Sequence, residues 1–423
     1  MSFLEKLLDG VKLEWKTLGD DNFVQIANSG RKPVKSELRI PGKIPYYGAN
    51  NIQDYVDGFT HDGEYLLIAE DGTASIEKYS IQYAVGKFWA NNHVHVLSGK
   101  SLLNTRFLYH YLQIVNFVPF LSGGGRAKLT KAKLLEIPIP IPCPEHPKKS
   151  SEIQQKIVAI LDTFTELTAE LTAELTAELT ARKQQYSYYR ENLLNFDERE
   201  VKHLPMDDQR VGEFQRGKRF VKTDLLSKGI PTIHYGEMYT HYGTWANETK
   251  SFVSKDLVKN KNLRLAQKGD VVIVAAGETV EDIGKGTAWL GNQGVVVHDA
   301  CFSYKTSLNP KFVAYFTRTK QYHDQIKKHI SSGKISAINA KGLGKTIIPI
   351  PSPEEQERIV SILDQFDILT NSISEGLPKE IELRKQQYEY YRDLLLTFPK
   401  KSELSEQYGT ENNRDSSIFK RCQ

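Results

Sequence analysis

The sequence predicts an α+β protein: two similar mixed α/β domains separated by two long antiparallel helices, with a pseudo-two-fold internal repeat relating the halves. Three observations predict this. First, the unit Thr-Ala-Glu-Leu stands three times without a break over 168–179, inside a stretch from Ser151 to Phe196 that holds no Gly or Pro. Ala, Glu and Leu are strong helix formers, and nothing in that stretch stops a helix. Second, Arg182-Lys-Gln-Gln-Tyr-Ser-Tyr-Tyr-Arg190 returns as Arg384-Lys-Gln-Gln-Tyr-Glu-Tyr-Tyr-Arg392, and Ile157-Val-Ala-Ile-Leu-Asp162 returns as Ile359-Val-Ser-Ile-Leu-Asp364, both at an offset of 202 residues. Third, each of these arms follows a segment with the same plan: apolar strand-like runs, a loop of small residues, then Ile-Pro-Ile-Pro.

In chain order, residues 1–150 read as the first domain. Glu64–Ala69 is strand-like and ends at the Asp71-Gly72 turn, and Lys87–Ala90 and His93–Leu97 are further strands. Asn104 caps a helix running to about Asn116. The Ser122–Lys128 loop and a short helix follow. The alternating prolines of Ile137–Pro142 make a stiff connector, since Pro cannot continue a helix. Residues 151–196 are the first helical arm. Leu167, Leu171, Leu175 and Leu179 recur every four residues, so their stripe drifts by about 40° per step and forms a wrapping apolar face rather than a heptad seam.

Residues 197–350 repeat the first plan. Ile44-Pro-Tyr-Tyr-Gly48 answers Ile230-Pro-Thr-Ile-His-Tyr-Gly236, Leu66–Ala69 answers Val271–Val274, and Asn104 answers Asn309. The loop Ser122-Gly-Gly-Gly-Arg-Ala-Lys128 aligns with Ser331-Ser-Gly-Lys-Ile-Ser-Ala337. Residues 351–398 are the second arm, which Gly376 and Pro378 should kink or break. Arms of equal length can pack antiparallel, with Tyr186, Tyr189, Tyr388 and Tyr391 as packing residues. The polar segment 399–423 reads as a disordered tail.

A chain of 423 residues with 39% hydrophobic and 26% charged residues is long enough and apolar enough for several packed cores. The three cysteines are too few and too scattered for a disulfide framework or zinc site, which fits a reducing cytoplasm. No apolar run is long enough to span a bilayer, and the N-terminus does not read as a signal peptide. The net charge of +4 is unevenly spread: residues 1–150 carry 18 Lys+Arg against 15 Asp+Glu, whereas 210–350 carry 22 against 11. That basic second segment favours a polyanionic partner, nucleic acid first.

A search for catalytic motifs is negative. Gly342-Leu-Gly-Lys-Thr346 lacks the upstream glycine of a nucleotide-binding P-loop, since position 339 is Asn. Asn309-Pro-Lys-Phe312 is better explained as a helix cap followed by Pro in the first turn than as a methyltransferase signature. His93 and His95 have no further ligands beside them for a metal. What remains is surface suited to nucleic acid. Arg126, Lys128 and Lys334 lie in the two small-residue loops, with Lys131, Lys133, Lys341 and Lys345 after them, and suit phosphate contact. Tyr46, Tyr47, Asn50, Asn51, Asn91 and Asn92 in the first domain, and His234, Tyr235, Glu237 and Asn247 in the second, can address base edges or serve structural roles.

The Thr-Ala-Glu-Leu repeat and the duplicated Arg-Lys-Gln-Gln-Tyr-x-Tyr-Tyr-Arg resemble the DNA-specificity subunit of type I restriction-modification enzymes, in the subgroup that carries this repeat in its central conserved region. The resemblance covers residues 1–398. It implies two target-recognition domains on double-stranded DNA, each reading half of a bipartite site, with the helices fixing the spacing. It implies two adenine methyltransferase subunits docked on the pseudo-symmetric halves, and two ATP-dependent restriction subunits. It implies no cofactor in this chain; S-adenosylmethionine, ATP and Mg belong to the partners. The break at Gly376–Pro378 departs from a straight pair of helices. A stand-alone nucleic-acid-binding protein and a coiled-coil adaptor are the alternatives. Neither accounts for two diverged domains on two matched arms.

Overall fold

The structure, a computed structural model, describes residues 7–8, 11–123, 127–277, 279–331, 333, 335–371 and 375–398. Two mixed α/β domains are joined by long helices. The chain divides into two compact units: Met1–Leu171 with Leu383–Gln423, and Thr172–Glu382. The tail 399–423 lies outside the described residues.

In the first unit, β1 (Leu13–Thr17) pairs antiparallel with β8 (Pro138–Pro142). The Ile-Pro-Ile-Pro run is therefore a strand and not only a connector. Alternate residues supply the N–H groups of a two-stranded ladder, so the prolines remove no needed bond. A six-stranded sheet runs in the order β2 (Val24–Ile26), β7 (Val94–Gly99), β5 (His61–Ala69), β6 (Ile81–Ala90), β3 (Pro41–Tyr47), β4 (Ile52–Val56). Gly63 and Gly86 face each other in the β5–β6 ladder with φ of +140° and +77°, conformations that suit glycine alone. The sheet curls there: Gln82, at the start of β6, donates to the Gly48 carbonyl at 3.2 Å, while Ala90, at its end, pairs with Tyr47.

The strand alternation separates two cores. Leu67 points into the curl with Ala84, Phe88, Ala90, Val94 and Val96. Leu66 and Ile68 point to the other side, against α1 (Thr105–Leu112) and the arm helix α3 (Pro147–Leu193) through Phe107, Leu108, Ile157 and Leu161. A short helix α2 (Lys131–Leu135) precedes β8.

The second unit repeats this. β9 (Lys202–Pro205) pairs with β21 (Ile347–Ile350) as β1 pairs with β8. One sheet has the order β10 (Gly212–Arg216), β19 (Cys301–Thr306), β15 (Val271–Val274), β17 (Gly286–Trp289), β12 (Trp245–Ala246). Another runs β13 (Ser251–Val253), β11 (Ile230–Ile233), β18 (Val295–Val297), β14 (Leu265–Ala266), and β16 (Ala276–Gly277) pairs with β20 (Ser336–Ala337). Helices α4 (Tyr235–Thr240), α5 (Lys255–Asn260), α6 (Pro310–Phe316), α7 (Lys320–Ile326) and α8 (Ala340–Gly344) complete the domain. Val271 and Ile273 join the core that includes α6 and the arm helix α9 (Pro353–Asn371); Val272 and Val274 join Trp289, Val295 and Val297.

The repeat extends to single hydrogen bonds. Asn104 and Asn309 each cap their helix, and the N–H of each donates to an arm glutamine, Gln154 at 2.8 Å and Gln356 at 2.7 Å. Asp162 accepts from Arg106 at 2.8 Å and His110 at 2.7 Å; its repeat partner Asp364 accepts from Lys311 at 2.6 Å and Tyr315 at 2.7 Å. Each domain is thus latched to its arm at the same two positions.

The arm helix α3 spans 47 residues, about 70 Å. It starts at Pro147, four residues before the expected Ser151, because Pro is tolerated in a first turn. It ends at Leu193, three before Phe196. The second arm breaks as expected, into α9 and α10 (Gly376–Leu396), with Gly376 at φ +77°. In the first unit α3 runs antiparallel to α10: Thr165 meets the Tyr388 hydroxyl at 3.0 Å and Phe164 stacks on Tyr391 at 5.9 Å. In the second unit Tyr186 and Tyr189 stack on Phe366 of α9, at 6.1 and 5.3 Å. The expected wrapping leucine face needs correction. Leu167 is 56% exposed, and the more buried positions are Leu161, Thr165, Thr168, Thr172, Leu175, Leu179, Arg182 and Tyr186. Their three-four spacing is a heptad stripe, the period that keeps one face of a helix on a partner helix; Leu171 lies beside it, half-buried.

Candidate nucleic-acid interface

In the first domain, loops from four elements converge on one rim of the curled sheet. Asn50, in the β3–β4 turn, donates to the Gly72 carbonyl at 2.8 Å and accepts from Ala74 N–H at 2.7 Å. The Asn91 N–H donates to the Tyr47 carbonyl at 3.2 Å, and its side chain accepts from His93 N–H at 2.8 Å. His93 contacts Asp71 at 2.6 Å. Ser122 and Lys128 pair through reciprocal backbone bonds of 2.9 Å, and the Lys128 backbone also pairs with that of Asp71. The structure therefore gathers Asn50, Asn91, Asn92 and Lys128, with Asn51 in the same turn as Asn50. Asn50, Asn51, Asn92 and Lys128 are exposed.

Two rim residues escape the sequence reading. Arg31 donates to Glu70 at 2.7 Å, to Val94 O at 2.8 Å and to Asn92 O at 3.4 Å. Glu70 also holds Lys128 at 3.1 Å. Arg31 sits in a loop with no local pattern, and Glu70 ends an apolar strand, so only the register brings them together.

The second rim has the same frame with different side chains. The Lys218 N–H donates to the Val297 carbonyl at 3.1 Å, as Lys32 N–H does to Ala90 at 3.0 Å. Arg216 donates to the Asp299 carbonyl at 2.9 Å, in the role Arg31 plays toward Asn92. Arg264 donates to the Arg216 carbonyl at 2.7 Å. His234 lies 4.8 Å, ring to ring, from His298, and Tyr235 lies 5.2 Å from it. His298 contacts Asp299 at 3.1 Å. Burial pushes the pKa of both histidines below the usual imidazole range. His298 is buried, its Nδ1 accepting from the Ala300 N–H at 3.1 Å and its Nε2 donating to the Phe220 carbonyl at 3.0 Å, so it backs the half-buried His234 ring and does not itself face a ligand. Ser331 and Ala337 pair as Ser122 and Lys128 do, with reciprocal backbone bonds of 2.9 and 3.1 Å.

The family model of the type I restriction modification DNA specificity domain matches this chain twice, over residues 12–181 and 209–383. The chain belongs to the type I restriction-modification DNA specificity family. It is 48% identical over 407 residues to a Haemophilus influenzae protein named as a type I restriction enzyme specificity subunit, covering 94% of this chain and 98% of that one. It is 32% identical over 425 residues to the EcoR124I/EcoR124II specificity subunit of Escherichia coli, covering 96% and 99%. A solved chain from a type I restriction-modification system, described for its complex assembly and conformational transition, shares the fold with a TM-score of 0.60 at 14% identity, over 91% of this chain and 97% of that chain. Specificity subunits are the non-catalytic components of such complexes.

Within this specificity subunit, several sequence candidates take other roles. Tyr46 is 1% exposed, its hydroxyl tied to Val34 N–H at 3.0 Å and its ring under Arg39 at 4.2 Å, so it does not face a ligand. Asn91 is buried and shapes the turn. Glu237 is buried, accepting from Ser251 and from the His234 N–H in a capping box of α4. Tyr47 is half-buried with its ring against Phe88 at 5.8 Å, and burial raises its phenol pKa. Asn247 is exposed, but it directly follows β12, the edge strand of one sheet, whereas His234 follows β11 of the other. Lys133 pairs with Glu136 at 2.8 Å. Lys131, Lys341 and Lys345 are exposed on or beside the short helices that follow the two loops. Arg126 and Lys334 lie outside the described residues.

The P-loop-like segment is the one-turn helix α8 and its end, with Gly344 packed against Asp207 and Thr346 buried. Among the described residues no group of three or more His, Cys, Asp and Glu is placed to hold a metal ion, and no helix is long and apolar enough to cross a membrane.

Proposed function

We propose that this subunit reads a bipartite double-stranded DNA target, one half-site per rim, and docks the methyltransferase and restriction subunits of a type I complex. The observation that carries the reading is a contrast between rims and arms. The rims keep one backbone frame and change their side chains: Arg31, Asn50, Asn92 and Lys128 in one, Arg216, Arg264 and His234 in the other. Fixed backbone with varied side chains suits direct readout of two different half-sequences, because base edges and not phosphates carry sequence information.

The arms do the opposite. Lys183/Lys385 and Gln184/Gln386 are exposed and identical, and Tyr188 and Tyr390 are 65% and 64% exposed. Identity among solvent-facing residues does nothing for internal packing. It supports the same partner docking once on each arm, hence two methyltransferase subunits, with two restriction subunits joining them. On this reading the chain holds no cofactor; S-adenosylmethionine serves the methyltransferases and ATP with Mg the restriction subunits, in the cytoplasm. The uninterrupted Thr-Ala-Glu-Leu units support membership of the subgroup in which that repeat spaces the half-sites.

The test is to produce the subunit with its methyltransferase partner in a host free of other adenine methylation and map N6-methyladenine across the genome. One asymmetric motif, two short halves around a fixed unspecified gap, is expected. A continuous motif would reject bipartite reading.

A further inference from the structure

Glu70 stands out on the first rim because its one carboxylate is shared by Arg31 and by Lys128, the cation that best suits phosphate contact. One oxygen lies 3.1 Å from Lys128 Nζ, and the other accepts from Arg31 at 2.7 Å. Arg31 is locked by three backbone carbonyls besides, those of Asn28, Asn92 and Val94. Lys128 is not: its side chain is 46% exposed, against 17% for Glu70. A half-exposed ion pair contributes little: it is weak enough for a well-placed phosphate to replace it and strong enough to discount loose attraction to any duplex.

The second domain supplies an internal comparison. The Leu129 N–H donates to the Glu70 carbonyl at 2.8 Å, and the Ile338 N–H donates to the Ala275 carbonyl at 2.8 Å, so Ala275 stands where Glu70 stands. In the paired loops, Ala337 stands where Lys128 stands. Acid and lysine are present together or absent together, as a functional pair would be. We propose that Glu70 is a specificity-determining residue of the first rim, holding the Lys128 ammonium away from loose phosphate contact so that binding there depends on base contacts and not on charge.

The proposal rests on the DNA-reading function, and its test separates the two. The subunit assembled with its methyltransferase is titrated with a duplex carrying the mapped target and with one lacking it, across a salt series. Wild-type complex with no preference between the duplexes would sink the DNA-reading function itself. Given a preference, Glu70→Gln frees Lys128 for any phosphate. The noncognate salt slope steepens by about one unit, so noncognate affinity falls about 3.5-fold more between about 50 and 200 mM salt, and discrimination at low salt drops. The double variant Glu70→Gln/Lys128→Ala returns the slope to the wild-type value. Lys128→Ala alone leaves the noncognate slope unchanged, because Glu70 already keeps that ammonium from a noncognate phosphate. An unchanged slope in a folded Glu70→Gln complex, or a Lys128→Ala slope lower by one unit on noncognate DNA, would overturn the proposal.

Discussion

His95 shows how tightly single residues tie the first rim to the core. It is fully buried, with Asn28 Nδ2 donating to its Nδ1 at 3.0 Å and its Nε2 at 2.7 Å from the Leu129 carbonyl. The amide donor leaves Nδ1 as acceptor and Nε2 as donor, so the ring must be neutral. Burial is the largest influence on its pKa and lowers it, and the same holds for His110, His234, His298 and His323. Unfolded, these rings titrate near 6.5. Above that pH both states are neutral and the full stability is present. As pH falls from about 6.5 toward the depressed folded values, the unfolded chain takes up protons the folded chain refuses, and stability is lost. The melting temperature should therefore be level above pH 7 and fall steadily down to about pH 5. A level melting temperature across that window would contradict the burial of these rings. At this scale the sequence was only partly legible. Tyr46 and Tyr47 are adjacent on one strand, and nothing in their identity says which faces the core, so both read as candidates. Arg31 and Glu70 lie 39 residues apart, and only the folded register makes them partners.

The arm helix carries the same lesson at the scale of an element. Its existence follows from composition, but its buried face does not follow from the leucines. Packing between antiparallel helices keeps a period near 3.5 residues, whereas the leucines repeat every four. Thr168 and Thr172 are consequently half-buried while Leu167 is exposed. A four-residue unit still makes a serviceable increment: it adds about 6 Å and turns the helix about 40° past a full turn, close to the roughly 35° turn of one base pair. Deleting Thr176–Leu179 should leave both half-sequences of the methylated motif intact and shorten the gap by one base pair. An unchanged gap would leave the repeat as a passive spacer. The proline-alternating runs read locally as connectors for the opposite reason: each is a short ladder strand whose partner, β1 or β9, lies over a hundred residues away and cannot be seen locally.

For the molecule as a whole, the duplication was legible in the arms and faint in the domains. The arms keep eight of nine residues in their clearest motif, because they meet the same demands twice. The rims keep only their backbone bonds, which many sequences can make. The alignment of Ser122–Lys128 with Ser331–Ala337 was nonetheless right, since both close with the same reciprocal pair. The latches, Asp162 on Arg106 and His110 and Asp364 on Lys311 and Tyr315, explain how diverged domains sit on matched arms. Each rim should read its own half-site. The measurement that checks this replaces residues 1–146 with the equivalent segment of a family member that has a different target, keeping Asp162 and the rest of the arm, and maps methylated adenines in the assembled complex. One half of the motif should be exchanged while the other half and the gap stay as they were; a change in both halves, or in neither, would rule out separate reading by the two rims.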